Sequence, residues 1–339
     1  MTPFEQLREL RDKRGVEAVV LRRAENFAWY TRGGNSRVEY AAPLGVADVV
    51  VTGEAELVLT STIEGPRMRA EEAPGFEILE YPWHEGPDAT LRELTGDATL
   101  GADVPLPDAA DLSDDVAALR RVLDAETIDR LRSVGGDLTA ALADATDAVR
   151  PGVSEHDAAA EIAAACRRRG LVATVLLAAT HERIAMHRHP LPAGAPIERR
   201  AMLVASAQRG GLYANLTRMV HFEDPEAEIA RRQAASDEIL ARMREEATRS
   251  GRSLLDAFAD CRRFYAEAGF PEEWRLHHQG GITGYASREV IATPYTDVPI
   301  ETGQAFSWNP SVTGAKAEET FVLTEAGAEV VAGATLSVG

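Results

Sequence analysis

The densest run of chemistry-bearing side chains is His277-His278-Gln279-Gly280-Gly281. A free imidazole titrates near pH 6.5, so it can take or give a proton at neutral pH. The paired glycines let backbone approach a ligand closely. In an extended run, neighbouring side chains face opposite sides. Only one of the two histidines then turns towards a pocket, and the register favours His277. Three further histidines, His181, His187 and His189, form a second group, in which His187 and His189 share a face if the segment is extended. Arg288-Glu289 and Glu318-Glu319 follow downstream. An arginine offers a fork of donors to a carboxylate. A carboxylate buried without a counter-charge needs a cationic partner or a raised pKa. Cys166 and Cys261 stand far apart, outside any Gly-rich or His-rich context, and read as buried, reduced thiols.

The elements that must position these groups change character along the chain. Apolar residues at Phe4, Leu7 and Leu10 have a helical period over residues 3–14. Val16 to Leu21, Val46 to Val51, Glu56 to Leu59, Phe76 to Tyr81 and Ala98 to Ala102 read as strands, with a helical stretch from Met68 to Ala73. This predicts a small α/β domain over residues 1–115. A helix-rich stretch from Ala117 to Val149 stops at Arg150-Pro151-Gly152, and Ser154 is placed to cap the next helix. Strands are expected at 173–179, 201–207 and 213–222, helices at 225–251 and 254–268, and a β-rich end. Residues 116–339 therefore read as an α+β domain, an antiparallel sheet covered by helices on one side.

Composition narrows the class of partner. The 339 residues carry a formal net charge of −18, and lysine occurs only at Lys13 and Lys316. A diffuse acidic excess argues against nucleic acid and against anionic membranes. It also resembles the surfaces of proteins from salt-loving organisms. No apolar stretch of about 18 residues is present and the first residues are charged throughout, which predicts a cytoplasmic protein without a signal peptide or a membrane span.

Several motifs occur in a shared order. The run from Leu119 through "RPGVSE" (150–155) to Gly170, then "AMHRHPLP" (185–192), "GLYANLTRMVHF" (211–222), "FSWNPSV" (306–312) and "EETFVLTEAGAEVV" (318–331) resembles the creatinase, aminopeptidase P and prolidase family. The small domain before it, with "NFAWYT" at 26–31, resembles that family's N-terminal domain. The resemblance implies a "pita-bread" fold for the C-terminal domain. It also implies hydrolysis at a pair of divalent metals held by two Asp, one His and two Glu.

The ligands carried over by position depart from that set. The first Asp falls at Val204 with Ser206 nearby, the second at Asn215, the His at Gly281, and the first Glu at Asn309; only the second Glu is kept, as Glu318. One carboxylate and two amides cannot neutralise two divalent cations, so no dinuclear site and no cofactor is expected, leaving at most a single ion near Glu318. Creatinase keeps the fold without metal and cleaves a C–N bond with His and Glu side chains, and a histone-binding branch has lost both the metals and the chemistry.

By that resemblance His187 is the proton shuttle, with His277 and Glu318 as its catalytic companions. Arg288, Asn215, Asn309 and Tyr285 would line the substrate, and Arg37 would reach a neighbouring subunit's site in trans. The expected protein is a homodimer acting without metal on a C–N bond of a small carboxylated nitrogen compound. An Xaa-Pro dipeptidase with an atypical metal site and a non-catalytic ligand-binding protein are the alternatives.

Overall fold

A computed structural model describes residues 1–53 and 55–333. The chain divides into two compact units, Met1–Arg120 and Arg121–Gly339. The boundary expected after residue 115 falls inside the helix Ser113–Arg120, which belongs wholly to the first unit. Its last residue explains why: Arg120 is buried and donates to the Asn26 side chain, which in turn donates to Asp103 at 2.7 Å.

The first unit holds a mixed sheet of six strands. They are β1 (Ala18–Arg23), β2 (Leu44–Val51), β3 (Glu56–Ser61), β4 (Glu77–Tyr81), β5 (Leu100–Ala102) and β6 (Ala109–Asp111), in the order β4-β3-β2-β1-β5-β6. The central strands are runs of Val, Leu and Ala because both faces are buried. Helix Pro3–Arg14 starts at a capping box between Thr2 and Glu5 and ends at Gly15, whose left-handed backbone suits glycine.

The second unit is the α+β body expected from the sequence. Helix Ala125–Ala148 begins at Asp124, which accepts from the Thr127 N–H, so the single helix-rich stretch is in fact broken at residues 121–124. Helix Glu155–Arg168 is capped by Ser154 as expected. An antiparallel sheet then runs β7 (Val172–Thr180), β8 (Arg200–Arg209), β9 (Leu212–His221). Helices Ala227–Arg242 and Leu254–Glu267 cover a second antiparallel sheet. Its strands are β10 (Gly280–Thr283), β11 (Val290–Ile291), β12 (Ala305–Trp308), β15 (Glu319–Thr324) and β16 (Gly327–Ala332). A short ribbon, β13 (Ser311–Val312) with β14 (Ala315–Lys316), sits between β12 and β15. The two sheets are joined where the Asn215 N–H donates to Thr320 Oγ1 at 2.8 Å and Thr320 Oγ1 donates back to the Asn215 carbonyl at 3.0 Å. This double bond sets β9 against β15 and fixes what faces the space beside it. Among the described residues no helix is long and apolar enough to cross a membrane.

Candidate active site

A cavity of about 300 Å³ opens in the second unit. Val175 and Leu177 from β7, Val204 and Ala205 from β8, and Leu191 give it an apolar wall. The rest of the lining is polar: Ser206, Asn215, Ser287 and Asn309, and the ionisable groups His189, His278, Arg288, Lys316 and Glu318. An apolar wall with convergent polar groups is the usual form of a small-molecule site.

Glu318 is the electrostatic centre. It follows Lys316 by two residues in extended chain, so the two side chains point the same way, and Lys316 Nζ lies 3.1 Å from Glu318 Oε2. Arg288 Nη2 donates to Oε1 at 2.9 Å, and Thr217 Oγ1 donates to Oε2 at 2.8 Å. Burial alone would raise the pKa of this carboxyl. The cations Lys316 and Arg288, with the Thr217 and Lys316 hydrogen bonds, outweigh burial and hold it at about 2. Glu318 is therefore a carboxylate at neutral pH, and the Arg288–Glu318–Lys316 triad carries a net positive charge. Arg288 also donates to the Ser287 carbonyl at 2.7 Å, while its Nε stays buried without a partner.

The histidines gather on one side. His189 Nε2 and His277 Nε2 lie 2.9 Å apart, and the ring centroids of His277 and His278 lie 4.5 Å apart. Burial, then the charges of Lys316, His278 and His189, push His277 down to about 2. Burial and then Arg288 push His278 down to about 4. His189 is lowered too, first by burial and then by Lys316. All three rings are neutral at pH 7, each an acceptor on one nitrogen and a donor on the other.

The amides keep the outline of lost carboxylates. Asn215 Oδ1 accepts from Ser287 Oγ at 3.2 Å, and Ser287 Oγ meets Ser206 Oγ at 2.9 Å. Asn309 Oδ1 is buried in the cavity wall with no hydrogen-bond partner.

The two-metal arrangement implied by the resemblance does not fit these residues. Val204, Asn215, Asn309 and Glu318 do converge on one cavity, but Val204 has no donor atom and Glu318 is already neutralised by two side-chain cations. Gly281 has φ of +150°, and a Cβ there would lie 2.1 Å from the Val290 carbonyl oxygen. No imidazole can occupy that position on this backbone.

Several expectations are corrected. His187 does not face the cavity: it is exposed and ends the short helix His181–Met186. The segment is not a strand, because Pro190 and Pro192 lack the N–H groups a ladder needs. His189 takes the place expected of His187. Of the adjacent pair, His278 lines the cavity while His277 packs behind it against His189. Strand alternation fails there because the residues lie between a 3₁₀ turn (Glu273–Leu276) and Gly280, whose φ is +97°. Tyr285 is buried away from the cavity, where its hydroxyl bonds Thr127 and Arg130. Arg37, expected to act in a neighbouring subunit, lies in the first unit and donates to Glu25 and to the Ala42 carbonyl, each at 3.1 Å; its action in trans is not decided by these bonds. Asn215, Asn309, Arg288 and Glu318 all line the cavity. Sequence reasoning missed Lys316, Ser206 as a bonded group, Ser287, Thr217 and the leading position of His278. The signal for Lys316 was present, since it is one of only two lysines in the chain.

The thiols are set aside by their surroundings. Cys166 and Cys261 are free and buried, and burial raises both, Cys166 to about 11.

Comparison with known proteins agrees with this architecture. Prolidase from Pyrococcus horikoshii superposes with a TM-score of 0.83 at 18% identity, covering 99% of this chain and 99% of that one. The X-Pro aminopeptidase from Thermotoga maritima gives 0.82 at 21%, covering 100% and 99%. The N-terminal domain of FACT complex subunit SPT16 from Cicer arietinum (chickpea) gives 0.71 at 12%, covering 97% and 94%. At such identities the likeness establishes the pita-bread fold with its N-terminal domain. No curated protein sequence matches the chain. The family model for the metallopeptidases of family M24 matches residues 129–325, more than half of the 339, and the chain belongs to that family of hydrolases.

Proposed function

We propose that this protein is a metal-independent hydrolase of a C–N bond in a small, carboxylate-bearing nitrogen compound. The observation that carries the reading is the clamp on Glu318. Arg288 and Lys316 stand at 2.9 and 3.1 Å from the one carboxylate retained from the family's ligand set. Covalently attached cations thus neutralise the group on which metal ions would rely. The excess positive charge favours an anionic substrate, and the wall of Val175, Leu177, Leu191 and Val204 favours an apolar body on it. Asn309 Oδ1, buried and unpartnered, supplies an acceptor for a substrate N–H.

The chemistry falls to His278 and His189 instead of His187. A neutral imidazole takes a proton from water as the water oxygen bonds to the carbon of the C–N group. The resulting imidazolium returns the proton to the nitrogen as that bond breaks. The positive Arg288–Lys316 side stabilises the charge that develops on the carbon's substituent. Glu318 is too tightly held to act as the base, since it stays a carboxylate down to about pH 2.

The test is amine release from a panel of N-acyl and N-amidino amino acids, with Xaa-Pro dipeptides included, in excess chelator. Turnover should persist in chelator, fall at least about 100-fold in His278→Gln, and be unchanged in His187→Ala. Turnover that appears only with added divalent metal would replace this reading by the Xaa-Pro dipeptidase suggested by the structural likeness to prolidase. The reading includes a homodimer in the cytoplasm acting on a small molecule; light scattering on purified protein checks the dimer.

A further inference from the structure

We propose that His189, His277 and His278 form a binding site for one borderline divalent cation of the zinc, nickel or copper class. One ring nitrogen from each lies within 4.8 Å of the others. The closest pair, His189 Nε2 and His277 Nε2, is 2.9 Å apart. Two ring nitrogens so placed share a single proton, one donating and one accepting. A cation that replaces that proton and draws in a third imidazole needs edges of roughly 3.3 Å, given metal–nitrogen bonds near 2.0–2.1 Å. Sub-ångström movements of the pair and a swing of the third ring reach that geometry.

One further observation points to a ligand. His278 Nδ1 is buried without any hydrogen-bond partner, while the equally orphaned His277 Nδ1 lies across the ring from the Nε2 the ion would use. An orphaned ring nitrogen on His278, beside the other two imidazoles, has unmet bonding capacity, which metal coordination would use.

The donor set selects the ion. Three nitrogens and no free carboxylate suit zinc, nickel or copper and disfavour magnesium, calcium and manganese. Glu318 is the carboxylate whose charge acts on all three rings, and Arg288 and Lys316 hold it. The site is distinct from the two-metal positions at Val204, Asn215, Gly281, Asn309 and Glu318, and shares no residue with them. Occupancy would tie up the imidazoles that the proposed reaction uses as base, so the ion is a ligand of the cavity and takes no part in that reaction.

The experiment uses untagged full-length protein, stripped with chelator and desalted. It is titrated with Co²⁺ while the visible d–d absorption is followed, then challenged with Zn²⁺. One equivalent of Co²⁺ per chain is expected, displaced by Zn²⁺ and not by Mg²⁺. His278→Ala and His189→Ala should each weaken binding by at least about 100-fold, a floor set by what even outer-shell changes cost. His187→Ala and Glu318→Gln should keep the stoichiometry at one. His189 is exposed, so its replacement is expected to leave the fold intact, and circular dichroism checks this. No cobalt band, unchanged affinity in His189→Ala, or loss of binding in Glu318→Gln would each overturn the proposal. Because the readout is binding, failure here leaves the hydrolase reading standing, and a protein that binds cobalt but turns over nothing would fail only the latter.

Discussion

Replacing Lys316 by Met removes one of the two cations on Glu318 while keeping the length of the side chain. At 3.1 Å and an effective dielectric of about 20, the gross attraction is about 5 kcal/mol. The net loss is smaller, because Met needs no desolvation and Arg288 with Thr217 still hold the carboxylate. Breaking one side of a buried pair costs about 3–5 kcal/mol, and the remaining partners put this case near the lower end. The pH linkage is a separate quantity, set by all the partners of Glu318 together with its burial. Glu318 sits at about 2 against an ordinary 4.5, which corresponds to about 3 kcal/mol of stability. The sign follows from the direction of the shift. A depressed carboxyl stabilises the fold fully above pH 4.5 and loses that contribution as pH falls towards 2. With Lys316 gone, burial pulls the carboxyl back up and the acid limb moves to higher pH. The assay is thermal and urea unfolding at pH 7 and across pH 2–6. Lys316→Met should melt roughly 6–12 °C lower at pH 7 for a unit of this size. Lys316→Met/Glu318→Gln should lose less than the two single changes summed. A single-variant loss under about 0.5 kcal/mol, or additivity within about 0.5 kcal/mol, would refute the view that Lys316 neutralises Glu318.

Gly281→Ala places a Cβ 2.1 Å from the Val290 carbonyl at φ of +150°, so it should cost about 3 kcal/mol or more; unfolding midpoints within about 0.5 kcal/mol of the parent would refute the strain. The net charge of −18 should make stability rise with KCl. At about 1 M salt the Debye length is near 3 Å, which removes long-range self-repulsion along with exposed pairs such as Arg132–Glu329. A melting temperature flat or falling between low and molar KCl would sink that expectation.

The family and the order of elements were legible in the sequence, and so was the identity of the residues at the motif positions. They depend on local periodicity, caps such as Ser154, and the identity of residues at motif positions, all of which are read along the chain. Asn215 lies in β9, whereas Asn309, Glu318 and Arg288 lie just outside β12, β15 and β11; they were found because they stand at motif positions, read along the chain by residue identity. What failed were assignments that assumed regular strands where none exists. Pro190 and Pro192 turn the His187–His189 segment out of any ladder, and Gly280 breaks the alternation at His277-His278. Tyr285 was misplaced because only packing against helix Ala125–Ala148 decides which way a loop side chain turns.

The sequence alone determined that one carboxylate and two amides stand where five metal ligands would be needed, a matter of residue identity and charge. Tertiary structure alone decided what neutralises that carboxylate. Arg288 and Lys316 lie 30 and two residues from Glu318 in the chain, and neither motif nor period links all three. Their meeting depends on β14, β15 and the loop after β10 closing on one cavity, and a buried charge is satisfied by neighbours in space, whatever their separation in sequence.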